Sequence, residues 1–280
     1  MSARVLHISD LHFGTIVDTA MSGVLDVVAT CRPDVVVISG DVTQRSRADE
    51  FAAFSDFLAL LQPLPVLACA GNHDVEWHKP WRRFTAPLRS FNAAVPESAR
   101  VPALVVDDVV LAPAPSVSPL RAVSGRITAA TIATTAAALS SASSSSSSSS
   151  SPKVRVAFTH HPLALDRPAV PPDVCIDAAT SAAALSAAGI DLLLSGHVHV
   201  PFSMTTAVPF PTLRPFVLAG AGTAMSWRTR GLAPRSLQIL DISSDAIAIE
   251  RREMGPGQPE FGVVGVSRFS RHDDGWRAES

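Results

Sequence analysis

Apolar residues fall in short runs along the chain, and the runs alternate between two spacings. "ARVLHIS" (3–9), "DVVVISG" (34–40) and "PVLACAG" (65–71) are near-continuous apolar stretches, the pattern of strands covered on both faces. Between them, residues 18–31 follow helical spacing, with Met21, Val24, Leu25 and Val28 on one face and Pro33 as the stop. Residues 46–62 repeat that spacing with Phe51, Phe54, Leu58 and Leu61, and place Asp49 and Glu50 in the first turns, where the helix dipole favours them. Strand, helix, strand, helix, strand implies parallel pairing through right-handed crossovers.

Downstream, "ALVVDDVVLAP" (103–113) predicts a hairpin turning at Asp107 and Asp108. Residues 125–141 predict a helix weakened by its threonines. The serines of 143–151 can bury no apolar surface and predict a solvated loop at about 140–152. Further strands are expected at 153–159, 191–195, 214–220, 236–242 and 246–253, with a helix at 179–189 ending on Gly189. One domain over 1–254 is the expected organisation, and the Gly-, Arg- and Ser-rich residues 255–280 are expected as a peripheral tail.

Composition narrows the function classes. A chain of 280 residues, 47% hydrophobic, can build a sizeable core, and a net charge of −2 without a basic run gives no bulk attraction to nucleic acid. Three cysteines, at 31, 69 and 175, form no close pair and point to a reducing, cytoplasmic setting. No secretion signal and no run of 18 apolar residues is visible, so no membrane partner is expected.

The polar residues of interest follow predicted strands. Asp10 and His12 follow the first, Asp41 the second, and Asn72, His73 and Asp74 the third. His160 and His161 follow 153–159, while His197 and His199 follow 191–195. On an extended backbone, residues two apart point to one side, so the last pair is expected to converge. Counting His7, seven of the nine histidines lie in or beside these motifs, and strand carboxyl ends are where α/β sheets build sites. Oxygen and imidazole donors without thiolate suit Mn²⁺, Fe or Zn²⁺. More donors than one tetrahedral ion needs fit two ions sharing a bridge, roughly 3.5–4 Å apart.

In order, Asp10-x-His12, Gly40-Asp41, Gly71-Asn72-His73-Asp74, His160-His161-Pro162 and Gly196-His197-x-His199 resemble the five motifs of the calcineurin-like metallophosphoesterases. Their bacterial cyclic-nucleotide-phosphodiesterase-like subgroup is the nearest in pattern. The resemblance implies an α/β fold, a four-layer sandwich of two packed mixed β-sheets flanked by α-helices. It implies two divalent metal ions, one held by Asp10, His12 and His199, the other by Asn72, His160 and His197, with Asp41 bridging. It implies attack of a metal-bound hydroxide on a small phosphorylated substrate, a phosphodiester such as a cyclic nucleotide, with His73 contacting phosphate and protonating the leaving oxygen. Phosphomonoesterase, nuclease and non-catalytic scaffold are the alternatives.

His161 either faces substrate or packs. In "GTAMSWRTRG" (222–231), Arg228 is a candidate for substrate binding, against the reading of an ordinary surface loop. Two departures stand out. "GDVTQRSR" offers no acid to pair with His73 before Asp49, and "LAPAPSV" (111–117) lacks the asparagine common after the equivalent strand.

Overall fold

The structure is a computed structural model that describes residues 2–145, 154–167, 173–231, 233–255 and 257–279. Strands β1 (Ala3–Ile8), β2 (Val35–Ser39) and β3 (Val66–Cys69) pair in parallel, linked by α1 (Asp18–Cys31) and α2 (Ala48–Leu60). Two short helices follow, α3 (Pro80–Thr85) and α4 (Arg89–Ala94). Next come β4 (Leu104–Val106), β5 (Val109–Pro113), α5 (Ala129–Ser145), β6 (Val154–Phe158), α6 (Ala178–Ala187) and β7 (Leu192–Ser195). The chain closes with β8 (Phe202–Thr205), β9 (Val217–Gly220), β10 (Arg235–Ile242), β11 (Ala246–Met254), β12 (Gly262–His272) and β13 (Gly275–Ala278).

The strands form two mixed sheets, one in the order β13-β12-β11-β10-β1-β2-β3 and the other β4-β5-β6-β7-β9-β8. Alternation along the strands makes the layers. Val5, Val35, Val37 and Leu67 meet Leu111, Val156, Leu194 and Val217 between the sheets. The intervening residues of the first sheet, Leu6, Ile8, Val36 and Ile38, pack outward on Val24, Phe51, Phe54 and Phe57 of α1 and α2. Val110, Ala157, Leu193 and Leu218 pack outward against Leu139, Ala182 and Leu185 of α5 and α6. The result is the four-layer sandwich. Among the described residues, no helix is long and apolar enough to cross a membrane.

Several elements differ from expectation. The buried stripe of α1 is Ala20, Val24 and Val27, with Met21, Leu25 and Val28 only partly buried beside it. Helix α5 starts later and runs into the serine tract, where Ser143 and Ser144 return hydroxyl bonds to carbonyls four residues back. The rest of that tract, from residue 146, lies outside the described residues.

The segment expected as a peripheral tail contains β12 and β13, which extend the first sheet and bury Phe269 and Trp276. Ladder bonding along β11 and a buried polar clip outweigh its loop-like composition. The Trp276 indole N–H donates to Asp191 Oδ1 (3.0 Å), and Arg271 pairs with the same oxygen (3.1 Å).

Candidate metal centre

The five polar motifs sit in loops at the carboxyl ends of β1, β2, β3, β6 and β7, so the centre straddles both sheets. Backbone bonding continues past the strand ends: Asp10 N–H donates to Gly40 O (3.1 Å), His12 N–H to Asp41 O (3.0 Å) and Gly196 N–H to His160 O (2.9 Å). The loops then turn sharply. Asp10, His12, Asp41, His197 and His199 all hold positive φ, between 49° and 72°. Non-glycine residues seldom adopt this region, and strain of this kind persists only where the surroundings enforce it. His197 and His199 therefore do not converge as alternate residues of an extended strand. β7 ends at Ser195, and two left-handed turns aim the rings to different places.

Small residues let the loops close. A Cβ on Gly40, whose φ is +100°, would lie 2.5 Å from His160 Nδ1. One on Gly71 would collide with Asp41.

Two groups of donors result. Asp10, His12 and His199 place donor atoms within 4.8 Å of one another, as do Asp10, Asp41 and His160. Asp10 Oδ2 accepts the His197 backbone N–H (2.9 Å), which leaves Oδ1 buried without a hydrogen-bond partner, although His199 Nε2 stands 3.2 Å away. His199 donates its Nδ1–H to Arg228 O (2.5 Å), so Nε2 turns a lone pair inward, 3.2 Å from His12 Nε2. Asp41 Oδ1 accepts the His73 backbone N–H (2.8 Å). Its Oδ2 lies between the groups, 3.3 Å from His160 Nε2 and 3.9 Å from His12 Nε2.

His160 donates Nδ1–H to Ser39 O (2.9 Å) and points Nε2 at Asn72 Oδ1 (3.2 Å). Asn72 commits its amide N–H to Ala122 O (3.1 Å), which fixes the oxygen as the inward atom. His197 Nε2 is buried and has no hydrogen-bond partner. Unpartnered buried acceptors are costly, and here they point at one another's neighbours. A pair of cations would satisfy them, so the residues present fit divalent ions.

Charge supports that fit for His12 and His197, whereas His160 would exchange its proton for the ion. Burial drives His12 down to about 3, and burial with the neighbouring His160 drives His197 to about 4, so both rings are neutral at pH 7. Burial opposes ionisation of Asp10 and Asp41, but His199 beside Asp10 and His160 beside Asp41 hold both carboxyls below the usual range. Burial would lower His160 as well; Asp41 overrides it and raises the ring to about 9.

Above these groups lies a cleft of about 850 Å³, lined by Asp41, Asn72, His73, His197 and His199 at the floor. Arg45, Arg47, Arg228, Arg230, Trp77 and Trp227 line its rim. His73 donates Nδ1–H to the Gln44 carbonyl (2.7 Å), leaving Nε2 beside the Arg228 guanidinium (3.5 Å). Arg228 also donates to Gln44 Oε1 (2.9 Å).

His161 does not share this cleft. It is fully buried, its Nε2–H donates to Val123 O (2.7 Å) and its Nδ1 pairs with the Ser116 hydroxyl (2.8 Å). Although it lies close to His160 and His197, both nitrogens are committed, so it packs instead of facing substrate.

The calcineurin-like phosphoesterase family model matches residues 3–201. The chain belongs to the calcineurin-like phosphoesterases. Phosphodiesterase YaeI of Escherichia coli (strain K12) is 33% identical over 73 residues, 25% of this chain and 27% of that protein's length. A dimetal phosphatase structure from Danio rerio aligns over 94% of this chain and 98% of its own, with TM-score 0.59 and 13% identity. Purple acid phosphatase PPD1 from yellow lupin aligns over 98% of this chain, with TM-score 0.66 and 12% identity; this chain spans 54% of that one. These structures share the fold.

Some members of this calcineurin-like site carry no metal-ligand signature in sequence. Asp74 is fully buried and accepts from Gly71 N (2.8 Å), Thr43 N (2.8 Å), Thr43 Oγ1 (2.7 Å) and Val42 N (3.2 Å), tying the loop after β2 to the loop after β3. Glu50 Oε2 accepts from Arg45 N (2.8 Å) and Arg47 N (3.1 Å), which anchors the same loop from α2. Gln44 orients His73 through its backbone carbonyl, in place of the acid sought after Gly40-Asp41. The aspartate at the end of Gly-Asn-His-Asp was a usable signal for the first; nothing in residue type reveals a carbonyl.

Proposed function

We propose that the chain is a binuclear metal-dependent phosphohydrolase acting on phosphodiesters. Asp10, His12 and His199 hold one divalent ion, Asn72, His160 and His197 the other, and Asp41 reaches both. The observation that carries this reading is the position of Asp41 Oδ2 between His160 Nε2 and His12 Nε2, with Oδ1 tied to the His73 N–H. When bound, two such ions supply an acidified water as nucleophile and polarise the phosphoryl oxygens.

The chain's own groups do the rest. The Arg228 guanidinium reaches the cleft beside His73 Nε2 and holds the phosphoryl oxygens as they gain charge. His73, oriented by the Gln44 carbonyl, presents Nε2 to the leaving oxygen and, in its doubly protonated form, delivers the Nε2 proton there. Burial of Asp10, Asp41 and the imidazoles keeps water from competing with the charges at the floor. The likeness to a bacterial phosphodiesterase supports diesters over monoesters. Three free cysteines support a reducing, cytoplasmic setting.

The test is turnover of bis(p-nitrophenyl) phosphate. Asn72→Ala and His160→Ala are each expected to lower kcat by about 10³ or more, with thermal unfolding still cooperative. Wild-type kcat in either variant sinks the two-ion assignment.

A further inference from the structure

Exposed apolar side chains gather on one lip of the cleft. Trp81 is 85% exposed, Leu120 70%, Phe84 59% and Val123 43%. They come from two segments, α3 and the loop after β5, which are joined where Arg83 Nε–H donates to Pro119 O (2.6 Å). Arg83 also lies over the rings of Trp77 (4.1 Å) and Phe84 (5.2 Å). Trp77 and Val123 line the cleft, so the lip is continuous with its mouth.

Exposed charge in these two segments is positive. Residues 77–96 and 109–127 contain no Asp or Glu. Lys79, Arg82, Arg83 and Arg121 flank the aromatic residues in these segments; the buried carboxylate of Glu76 pairs with Lys79 (2.7 Å) and lies 3.8 Å from Arg82. The whole chain, by contrast, carries −2. A large exposed apolar patch on a water-soluble surface marks a contact site. Protein interfaces deplete lysine at their centres, whereas tryptophan and phenylalanine flanked by Lys and Arg suit the headgroup region of an anionic bilayer.

We propose that this lip, formed by Trp81, Phe84, Leu120 and Val123 with Lys79, Arg82, Arg83 and Arg121, docks the protein on the surface of an anionic phospholipid membrane. The aromatic side chains enter the headgroup layer and the cations meet lipid phosphates. Surface contact of this kind needs no spanning helix, and none is present among the described residues. Docking turns the Trp77 side of the cleft toward the lipid. An amphiphilic phosphodiester could then reach the floor from the membrane; that consequence rests on the phosphohydrolase reading, whereas docking itself does not.

The experiment is co-sedimentation of the full chain with vesicles, either phosphatidylcholine alone or phosphatidylcholine with phosphatidylglycerol. Binding to the anionic vesicles is expected to be at least about tenfold tighter than to the neutral ones, and to weaken with salt. Trp81→Ser with Phe84→Ser is expected to cost about tenfold or more in vesicle binding, with turnover of bis(p-nitrophenyl) phosphate in free solution unchanged. Leu120→Asp, on the facing loop, provides the same reading should the double variant misfold. No anionic-vesicle binding, or binding that survives these substitutions, overturns the proposal. Turnover without vesicle binding removes docking alone; vesicle binding without turnover supports docking and removes the phosphohydrolase reading.

Discussion

Asn72 and Trp77 stand five residues apart on one loop, yet one belongs to the floor of the cleft and the other to its rim. At the floor, four polar atoms that do not point inward are committed: Asn72 Nδ2 to Ala122, His160 Nδ1 to Ser39, His199 Nδ1 to Arg228, Asp10 Oδ2 to His197. Side chains there are buried except for the half-buried His73, and Asp10, His12, Asp41, His197 and His199 hold left-handed backbones. The rim is different. Arg45 and Arg47 are exposed, Trp227 is 63% exposed, and Arg230 is paired with Asp173 (3.0 Å). The floor is preorganised, so it suits a reaction that depends on fixed charges. The rim is free to select what enters.

The sharpest way to separate the two is Arg228, whose carbonyl serves the floor and whose guanidinium serves the rim. Arg228→Ala keeps the carbonyl, so metal content should be unchanged while kcat/KM falls about 100-fold. Loss of metal in that variant would erase the distinction. Asp74→Asn comes next. It leaves ligand types intact but breaks a buried carboxylate cluster of four hydrogen bonds, and is expected to lower stability by about 2 kcal/mol in urea unfolding.

The smallest effect concerns His7, which lies between the sheets with its ring bonded to Gln238 (3.1 Å) and Ser39 (2.8 Å). Burial lowers it to about 4 from the ordinary 6.5. The unfolded chain therefore binds the extra proton between those values, and stability should rise with pH across that window. Its share is about 1.5 kcal/mol between pH 5 and 6.5, and His7→Gln should flatten the pH dependence of the unfolding free energy in urea by that much. An unchanged slope would mean that the ring is not shielded.

Floor and rim also differ in how far the sequence reveals them. The structure brings Asp10, His12, Asp41, Asn72, His160, His197 and His199 together because their positions after strands are dictated by topology, and strand runs are readable from apolar spacing. The turn geometry that aims them is not readable: positive φ at His197 and His199 sends their rings to two different groups, where strand alternation would have brought them to one side. Gln44 acts through a carbonyl that any residue supplies, so its side-chain type carries no signal. Likewise α3 and α4 are too short to show a period, and β12 hides behind glycines because its outward residues face solvent. His161, part of a motif by residue type, is diverted into packing by Ser116 and Val123, which only the fold brings near.

One measurement bears most directly on the central claim: Mn²⁺ titration of chelator-stripped protein, reading bound metal and bis(p-nitrophenyl) phosphate turnover on the same sample. The account predicts about two equivalents bound per chain and turnover that appears as the second site fills. Failure to bind the second equivalent, or turnover that persists fully in the stripped protein, would contradict it.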